Sequence, residues 1–236
     1  MEKFYQFKKV NEEVTDLYIF GDITAYGWEE SDVGAYDFAK ELNDVDTDNL
    51  NIHINSYGGS VSEGLAIYNL LKQSNKNITT VCDGFACSIA SVIFMSGTKR
   101  IMNKGSLLMI HNAWTFSYGN AKELRKQADD LEKITEPSIQ IYVDTSILTR
   151  EEVIEMMDNE TWITSDEALE YGFATEIVDK EDSQQSINEH YLARQVLMNK
   201  ELEKELNTTK EALATEMAKQ KEKPLTGWNA FFNTKK

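Results

Sequence analysis

Two stretches of the chain share one layout, Asn51-Ile-His-Ile-Asn-Ser-Tyr-Gly-Gly59 and Ile78-Thr-Thr-Val-Cys-Asp-Gly-Phe-Ala-Cys-Ser88. Each begins as a strand-like run, reaches a predicted turn at Gly58-Gly59 or Asp83-Gly84, and continues into apolar residues at helical spacing. The helical parts are Ser62–Leu71 and Ser88–Met95. Strands that alternate with helices form a mostly parallel sheet covered by helices. The sequence therefore predicts an α/β domain.

The pattern continues on both sides of these two units. Further strands are predicted at Leu17–Gly21 and Ser106–Ile110, and a helix at Val33–Leu42. A long amphipathic helix is predicted over Ala121–Tyr142, with a break or kink at Pro137 because proline cannot donate a helical hydrogen bond. Capping boxes at Thr149 and Thr164 predict two shorter helices, and Gly172 is expected to end the second.

Composition indicates a soluble protein of the cytoplasm. The 236 residues are 41% hydrophobic and 27% charged, and no apolar run approaches the roughly 20 residues that span a bilayer. The first residues do not resemble a secretory signal, and the two cysteines, Cys82 and Cys87, do not suggest a disulfide framework. We expect one domain over residues 1–180, and an extension over residues 181–236 that is helical or partly disordered.

The net charge of the chain restricts the classes of molecule that it is expected to bind. The formal net charge is −16, yet residues 181–236 hold nine acidic and nine basic side chains, so the whole excess lies in residues 1–180. A body this acidic repels phosphate backbones and anionic lipid headgroups. We therefore expect neither a nucleic-acid partner nor a membrane partner.

Three features that can carry chemistry follow predicted strands: the Gly58-Gly59 loop, Ser88 and His111. Ligands of α/β sheets bind beyond the carboxyl ends of the strands. Each feature alone is weak, because glycine pairs usually form turns and a serine before a helix is usually an N-cap. His53 is expected to be structural and His190 lies in the polar extension. No grouping has metal-ligand spacing, so we expect no metal and no cofactor.

Four blocks taken together carry a resemblance: Ile54-Asn-Ser-Tyr-Gly-Gly-Ser-Val, Asp83-Gly-Phe-Ala-Cys-Ser-Ile-Ala-Ser, Leu108-Met-Ile-His-Asn and Thr164-Ser-Asp-Glu-Ala-Leu-Glu-Tyr-Gly172. Over roughly residues 15–178 the chain resembles the proteolytic subunit of the Clp protease. The resemblance implies a Clp protease/crotonase-like fold of repeated βα units. It also implies a handle region at about residues 121–148, built on the inserted long helix.

The same resemblance implies a serine protease site. Ser88 aligns with the nucleophile and His111 with the general base, while Gly59 and Ile89 align with the residues whose N–H groups form the oxyanion hole. The family usually has an aspartate as third triad member, and here that position is Glu160. Asp158 is a second candidate. A third alternative is that Glu160 only caps a turn and another group orients His111.

The resemblance also implies partners. Clp subunits form rings, commonly two stacked heptamers, and we expect a ring-shaped homo-oligomer. The few residues before Leu17 and the extension after residue 180 resemble the layout of phage head-maturation proteases, whose substrates are scaffold and capsid proteins. One alternative is a proteolytic subunit that works with an ATP-driven unfoldase. Others are a catalytically silent assembly protein and, disfavoured by the acidic body, a crotonase-like enzyme for acyl-CoA.

Overall fold

A computed structural model describes residues 4–24 and 34–179 of the chain. The strands are β1 (Tyr5–Lys9), β2 (Val14–Phe20), β3 (Asn49–Ser56), β4 (Asn77–Cys87), β5 (Lys99–Asn103), β6 (Leu107–Ile110), β7 (Thr161–Thr164) and β8 (Glu176–Val178). The helices are α1 (Ala35–Asp44), α2 (Val61–Gln73), α3 (Ile89–Phe94), α4 (Ala121–Thr145), α5 (Arg150–Asp158) and α6 (Ser165–Glu170). The α/β prediction is confirmed.

The strands form one mixed sheet in the order β1-β2-β3-β4-β5-β8. Strands β2 to β5 and β8 are parallel to their neighbours, and β1 is added antiparallel to β2. Strand β6 pairs with the second part of β4 and, antiparallel, with β7. As a result β4 and β6 end next to each other, and the residues that follow them meet at one edge.

The predicted turn at Asp83-Gly84 is wrong, because β4 runs through it as one strand of eleven residues. The pairing with β3 shifts register between Ile54 and Ser56, so extra residues of β4 are absorbed there without ending the strand. Asn55 Oδ1 accepts a hydrogen bond from the Phe85 N–H at 3.2 Å and supports the irregular stretch. Before this point β4 pairs with β5, and after it with β6.

The core lies on one face of the sheet. Side chains of β3 alternate between buried and partly buried, as expected when helices cover one face of a strand. Helix α3 is buried along its whole length. Gly64 of α2 lies so close to the Ile89 side chain that any β-carbon at position 64 would collide with it. Helix α2 therefore fixes the start of α3, directly after Ser88.

Helix α4 continues through Pro137 as a single helix of 25 residues, so the predicted break is absent. Pro137 lies on an exposed face, where water can hydrogen bond the carbonyl that a proline leaves without its helical donor. Asn120 and Glu123 form a capping box that the sequence analysis did not identify. The predicted boxes at Thr149 and Thr164 are both present.

Some predictions fall outside the described residues, among them the extension over residues 181–236, Val33 and His190. Helix α1 begins at Ala35 in the described part. Within residues 4–24 and 34–179, no helix combines the length and the apolar character needed to cross a membrane.

Candidate active site

Ser88 lies on a sharp turn between β4 and α3. Its backbone has φ 54° and ψ −130°, a conformation that residues with a side chain rarely adopt and that costs about 1–3 kcal/mol. Ser88 occupies the N-cap position of α3, but its side chain makes no capping hydrogen bond, unlike most serines at such a position. The turn instead presents the hydroxyl group to the residues that follow β6.

His111 follows β6 directly and meets this hydroxyl. Its Nε2 lies 2.7 Å from Ser88 Oγ, within hydrogen-bond distance. The Ser88 N–H donates to the Met109 carbonyl at 2.8 Å, so the backbone ladder between β4 and β6 also ties the two residues together. The structure thus brings together the two residues that the sequence analysis paired, 23 positions apart in the chain.

Ser88 and His111 both line a cavity of about 480 Å³. Its walls include the glycine loop, Met109 of the strand that precedes His111, and three residues that the sequence analysis did not associate with the site: Asp22, Ala113 and Trp114. Trp114 lies three residues after His111, in a segment without helix or strand. This short distance in the sequence could have marked it as a residue near the site. No comparable signal marked Asp22, which is brought to the cavity only by the fold.

Glycine is required at positions 58 and 59 for two reasons, the backbone conformation there and the close approach of neighbouring atoms. Their φ angles are 100° and 140°, in the region that favours glycine. A β-carbon on Gly58 would lie 2.7 Å from Ser88 Cβ, and one on Gly59 would collide with the Ile23 backbone. The loop therefore packs directly against the turn at Ser88 with no side chain between them.

The N–H groups of Gly59 and Ile89 are available for a ligand. In the bridge to Ile23, the Ile23 N–H donates to the Gly58 carbonyl and the Ser60 N–H donates to the Ile23 carbonyl, so the Gly59 N–H points away from Ile23. Neither this N–H nor that of Ile89 has a hydrogen-bond acceptor among the described residues.

Glu160 is the carboxylate whose charge acts on His111. The antiparallel ladder of β6 and β7 ends with Ile110 opposite Thr161, and His111 and Glu160 are the residues next to this last pair. No hydrogen bond joins them within the described part of the chain. Glu160 has φ 49° and directly follows the C-cap of α5, so it also occupies the left-handed position that ends many helices.

Asp158 is engaged elsewhere. Its Oδ1 accepts a hydrogen bond from Asn112 Nδ2 at 2.7 Å. The acid that the sequence analysis held as second candidate therefore contacts the neighbour of His111, whereas the charge of Glu160 acts on the imidazole itself.

Burial lowers the pKa of His111 below its ordinary value of 6.5, and the negative charge of Glu160 partly opposes this shift. Desolvation penalises the imidazolium, so the ring is neutral at pH 7 and its Nε2 can accept the proton of Ser88. A nucleophile and a base at hydrogen-bond distance, with the base free to accept a proton, are the elements of serine catalysis.

The other described histidine has a different environment. Burial opposes the charged form of His53, but the Asp83 carboxylate, 2.8 Å from Nδ1, outweighs it and raises the His53 pKa. This pair lies within the strands of the sheet, as expected for a structural histidine. In the part of the chain that the structure describes, no group of three or more His, Cys, Asp or Glu side chains is arranged to hold a metal ion.

The chain resembles known proteins over the segment that carries this site. A family model described as Clp protease matches residues 39–181. ATP-dependent Clp protease proteolytic subunit 3 of Rhodococcus jostii (strain RHA1) is 37% identical over 129 residues, which is 54% of this chain and 64% of the relative.

Two further relatives are named ATP-dependent Clp protease proteolytic subunit. That of Deinococcus radiodurans is 32% identical over 56% of this chain and 65% of its own length, and that of Bacteroides fragilis is 34% identical over 56% and 64%. The chain spans somewhat less than two thirds of the length of these relatives. Because the family model matches more than half of the chain, from within α1 to beyond β8, the chain belongs to the Clp protease family.

Proposed function

We propose that this protein is a serine endopeptidase that cleaves peptide bonds through an acyl-enzyme intermediate. The observation that carries the proposal is the 2.7 Å contact between Ser88 Oγ and His111 Nε2 at the wall of an open cavity. Membership of the Clp protease family supports the same chemistry.

In the first step His111 acts as general base. Nε2 takes the proton of Ser88 as Oγ attacks the carbonyl carbon of the peptide bond, because an unassisted hydroxyl is a weak nucleophile at neutral pH. The resulting imidazolium then donates that proton to the departing amine. Water repeats the sequence on the acyl-enzyme and releases Ser88.

The carbonyl oxygen becomes negatively charged during the attack. The N–H groups of Gly59 and Ile89 are the proposed donors for this oxygen, since both are without an acceptor among the described residues. Ile89 directly follows Ser88, and Gly59 lines the same cavity as Ser88. Removing one donor of this kind typically costs about 10²–10³ in rate. The open glycine loop also lets the backbone of an extended peptide approach the nucleophile.

Glu160 is the proposed third member of the triad. Its charge favours the imidazolium that forms during catalysis, and like His111 it lies next to the last pair of the β6–β7 ladder. A carboxylate in this role orients the imidazole and stabilises its charged form. The hydrogen bond between them is expected to form when substrate occupies the cavity, because catalytic hydrogen bonds are often long in the free enzyme.

The names of the relatives bear on the partner. The three relatives described above are ATP-dependent Clp protease proteolytic subunits, and they favour an ATP-driven unfoldase as partner over the head-maturation role that the sequence analysis put first. They give no support to scaffold or capsid proteins as the substrates. We therefore propose the unfoldase-dependent subunit as the principal function.

Self-association into a ring, as a heptamer or double heptamer, is the second part of this proposal. The segment after His111 exposes three aromatic side chains, Trp114 (67%), Phe116 (91%) and Tyr118 (95%). Aromatic side chains grouped at a surface are characteristic of interfaces between proteins. A neighbouring copy of the chain would cover them.

Titration of the His111 ring tests the role of Glu160. By nitrogen-correlated NMR we expect wild-type His111 to titrate below 6.5, because burial lowers its pKa. Glu160→Gln is expected to lower the His111 pKa further, since it removes the charge that opposes the shift. Asp158→Asn is the matched control and should leave the titration unchanged. A shift in Asp158→Asn with none in Glu160→Gln would assign the role to Asp158.

Labelling with a fluorophosphonate probe tests the serine chemistry. Ser88→Ala is expected to abolish labelling, and His111→Ala to slow it roughly 10²–10⁴-fold, the usual contribution of a general base. Ser62→Ala, an exposed serine at the start of α2, should be labelled as fast as wild type. Labelling would be followed by intact-protein mass spectrometry. Full labelling of Ser88→Ala would place the reactive nucleophile at another residue, and no labelling of wild type in any oligomeric fraction would favour the silent assembly protein.

Degradation assays test the partner. With a Clp unfoldase and ATP, the protein is expected to degrade a tagged folded substrate, and without ATP only unfolded casein. Native mass spectrometry of the same samples should show a ring that Trp114→Ala/Phe116→Ala dissociates and that Tyr36→Ala, an exposed aromatic on α1, leaves intact. Cleavage of scaffold or capsid proteins at full rate without ATP would instead support head maturation.

A further inference from the structure

A buried chain of hydroxyl groups joins helix α4 to the backbone of Ser88. Ser91 Oγ lies 2.5 Å from the carbonyl oxygen of Ser88 and 2.8 Å from the hydroxyl of Tyr142, which is 51 positions away in the sequence. Ser91 and Tyr142 are both buried, with 0% and 1% of their surfaces exposed. Nothing in the proposed mechanism uses either residue.

The direction of donation follows from the acceptors. The carbonyl oxygens of Ser88, at 2.5 Å, and of Met109, at 3.4 Å, can only accept, so the single hydroxyl hydrogen of Ser91 is donated to carbonyl oxygen, chiefly to the nearer one of Ser88. The Tyr142 hydroxyl then donates to Ser91 Oγ. Burial raises the pKa of Tyr142, so the phenol keeps its hydrogen at neutral pH and remains a donor.

These contacts fix the peptide unit that links Ser88 to Ile89. In a trans peptide the C=O and the N–H point in opposite directions. The Ser88 carbonyl is held inward by the Ser91 hydroxyl and by the Ser91 N–H at 3.0 Å. The N–H of Ile89 must consequently point away from α3, which is where the proposed oxyanion donor is required.

The same contacts hold Ser88 in its strained backbone conformation. Its N–H is tied to the Met109 carbonyl at 2.8 Å, and its carbonyl to Ser91, so both ends of the residue are held while φ stays at 54°. Loss of the Ser91 hydroxyl removes the link from the Ser88 carbonyl, through Ser91, to Tyr142 on α4. The strained residue then gains freedom to relax, and the Ser88 hydroxyl moves with it.

We propose that Ser91 and Tyr142 are positioning residues, which aim the Ile89 N–H at the developing oxyanion and hold Ser88 Oγ toward His111. The proposal rests on the proposed serine peptidase function, because it assigns these two hydroxyls a role in the geometry of that site. Neither residue touches the reacting atoms.

Kinetics of fluorophosphonate labelling on the full chain separates positioning from stability. Ser91→Ala is expected to lower the maximal inactivation rate, kinact, roughly 10- to 100-fold at unchanged KI, the scale of loss from a displaced reacting group. It also leaves the Tyr142 hydroxyl buried without a partner, which lowers the thermal midpoint. In Ser91→Ala/Tyr142→Phe that unpaired hydroxyl is gone. The midpoint should recover, whereas kinact should stay low.

Thr80→Val is the matched control. Thr80 is fully buried and donates to the Phe94 carbonyl at 2.8 Å, so it anchors the opposite end of the same helix α3. Its loss removes a buried hydroxyl of the same kind without touching the Ser88–Ile89 peptide. Thr80→Val should lose stability and keep the wild-type kinact.

Recovery of kinact together with the midpoint in the double variant would overturn the proposal, as would an equal loss of kinact in Thr80→Val. A crystal structure of the double variant supplies a readout that does not depend on activity. We expect the Ser88 carbonyl to be rotated, or Ser88 Oγ to lie beyond hydrogen-bond distance of His111 Nε2. An unchanged Ser88–Ile89 peptide with Ser88 Oγ still within hydrogen-bond distance of His111 Nε2 would overturn the positioning role. Failure of wild type to label would count against the peptidase function alone.

Discussion

The site depends on the backbone of Ser88, which is held at φ 54° between the end of β4 and the first residue of α3. This conformation is unfavourable for serine, so the surrounding contacts must enforce it. The Met109 carbonyl holds its N–H, the glycine loop packs on its Cβ, and α3 holds its carbonyl. Because these contacts come from different elements, the Ser88 hydroxyl is presented to His111 only when these elements have packed together.

The sheet supplies the remaining geometry. Strand β4 changes partners along its length, from β5 to β6. This change brings β6 alongside the turn at Ser88. The antiparallel pairing of β6 with β7 ends at Ile110 and Thr161, directly beside His111 and Glu160. Residues that are distant in the sequence thus reach one edge of the sheet through strand register, and not through flexible loops. A site built on strand ends is positioned more accurately than one built on loops.

Local sequence patterns were sufficient for the alternation of strands and helices and for placing Ser88 and His111 after strands, whereas the roles assigned to this pair came from the family resemblance. Local patterns failed where tertiary contacts override local preference. Asp83-Gly84 has the composition of a turn, yet a register shift keeps it within β4. Pro137 has the chemistry of a helix breaker, yet the exposed side of α4 tolerates it.

Some features of the site had no local signal at all. Ser91 and Tyr142 look like ordinary helix residues, and only the packing of α4 on α3 brings their hydroxyls together. The proposal of Glu160 over Asp158 likewise rests on tertiary contacts, because two carboxylates two positions apart cannot be distinguished by spacing alone.

The most direct measurement is a crystal structure of the full chain after reaction with a peptide boronic acid. We expect a covalent bond between Ser88 Oγ and boron, with one boronate oxygen about 2.7–3.1 Å from the N–H groups of Gly59 and Ile89. His111 Nε2 should lie within hydrogen-bond distance of the adduct. A reagent bound away from Ser88, or an adduct whose oxygen contacts neither N–H group, would contradict the account.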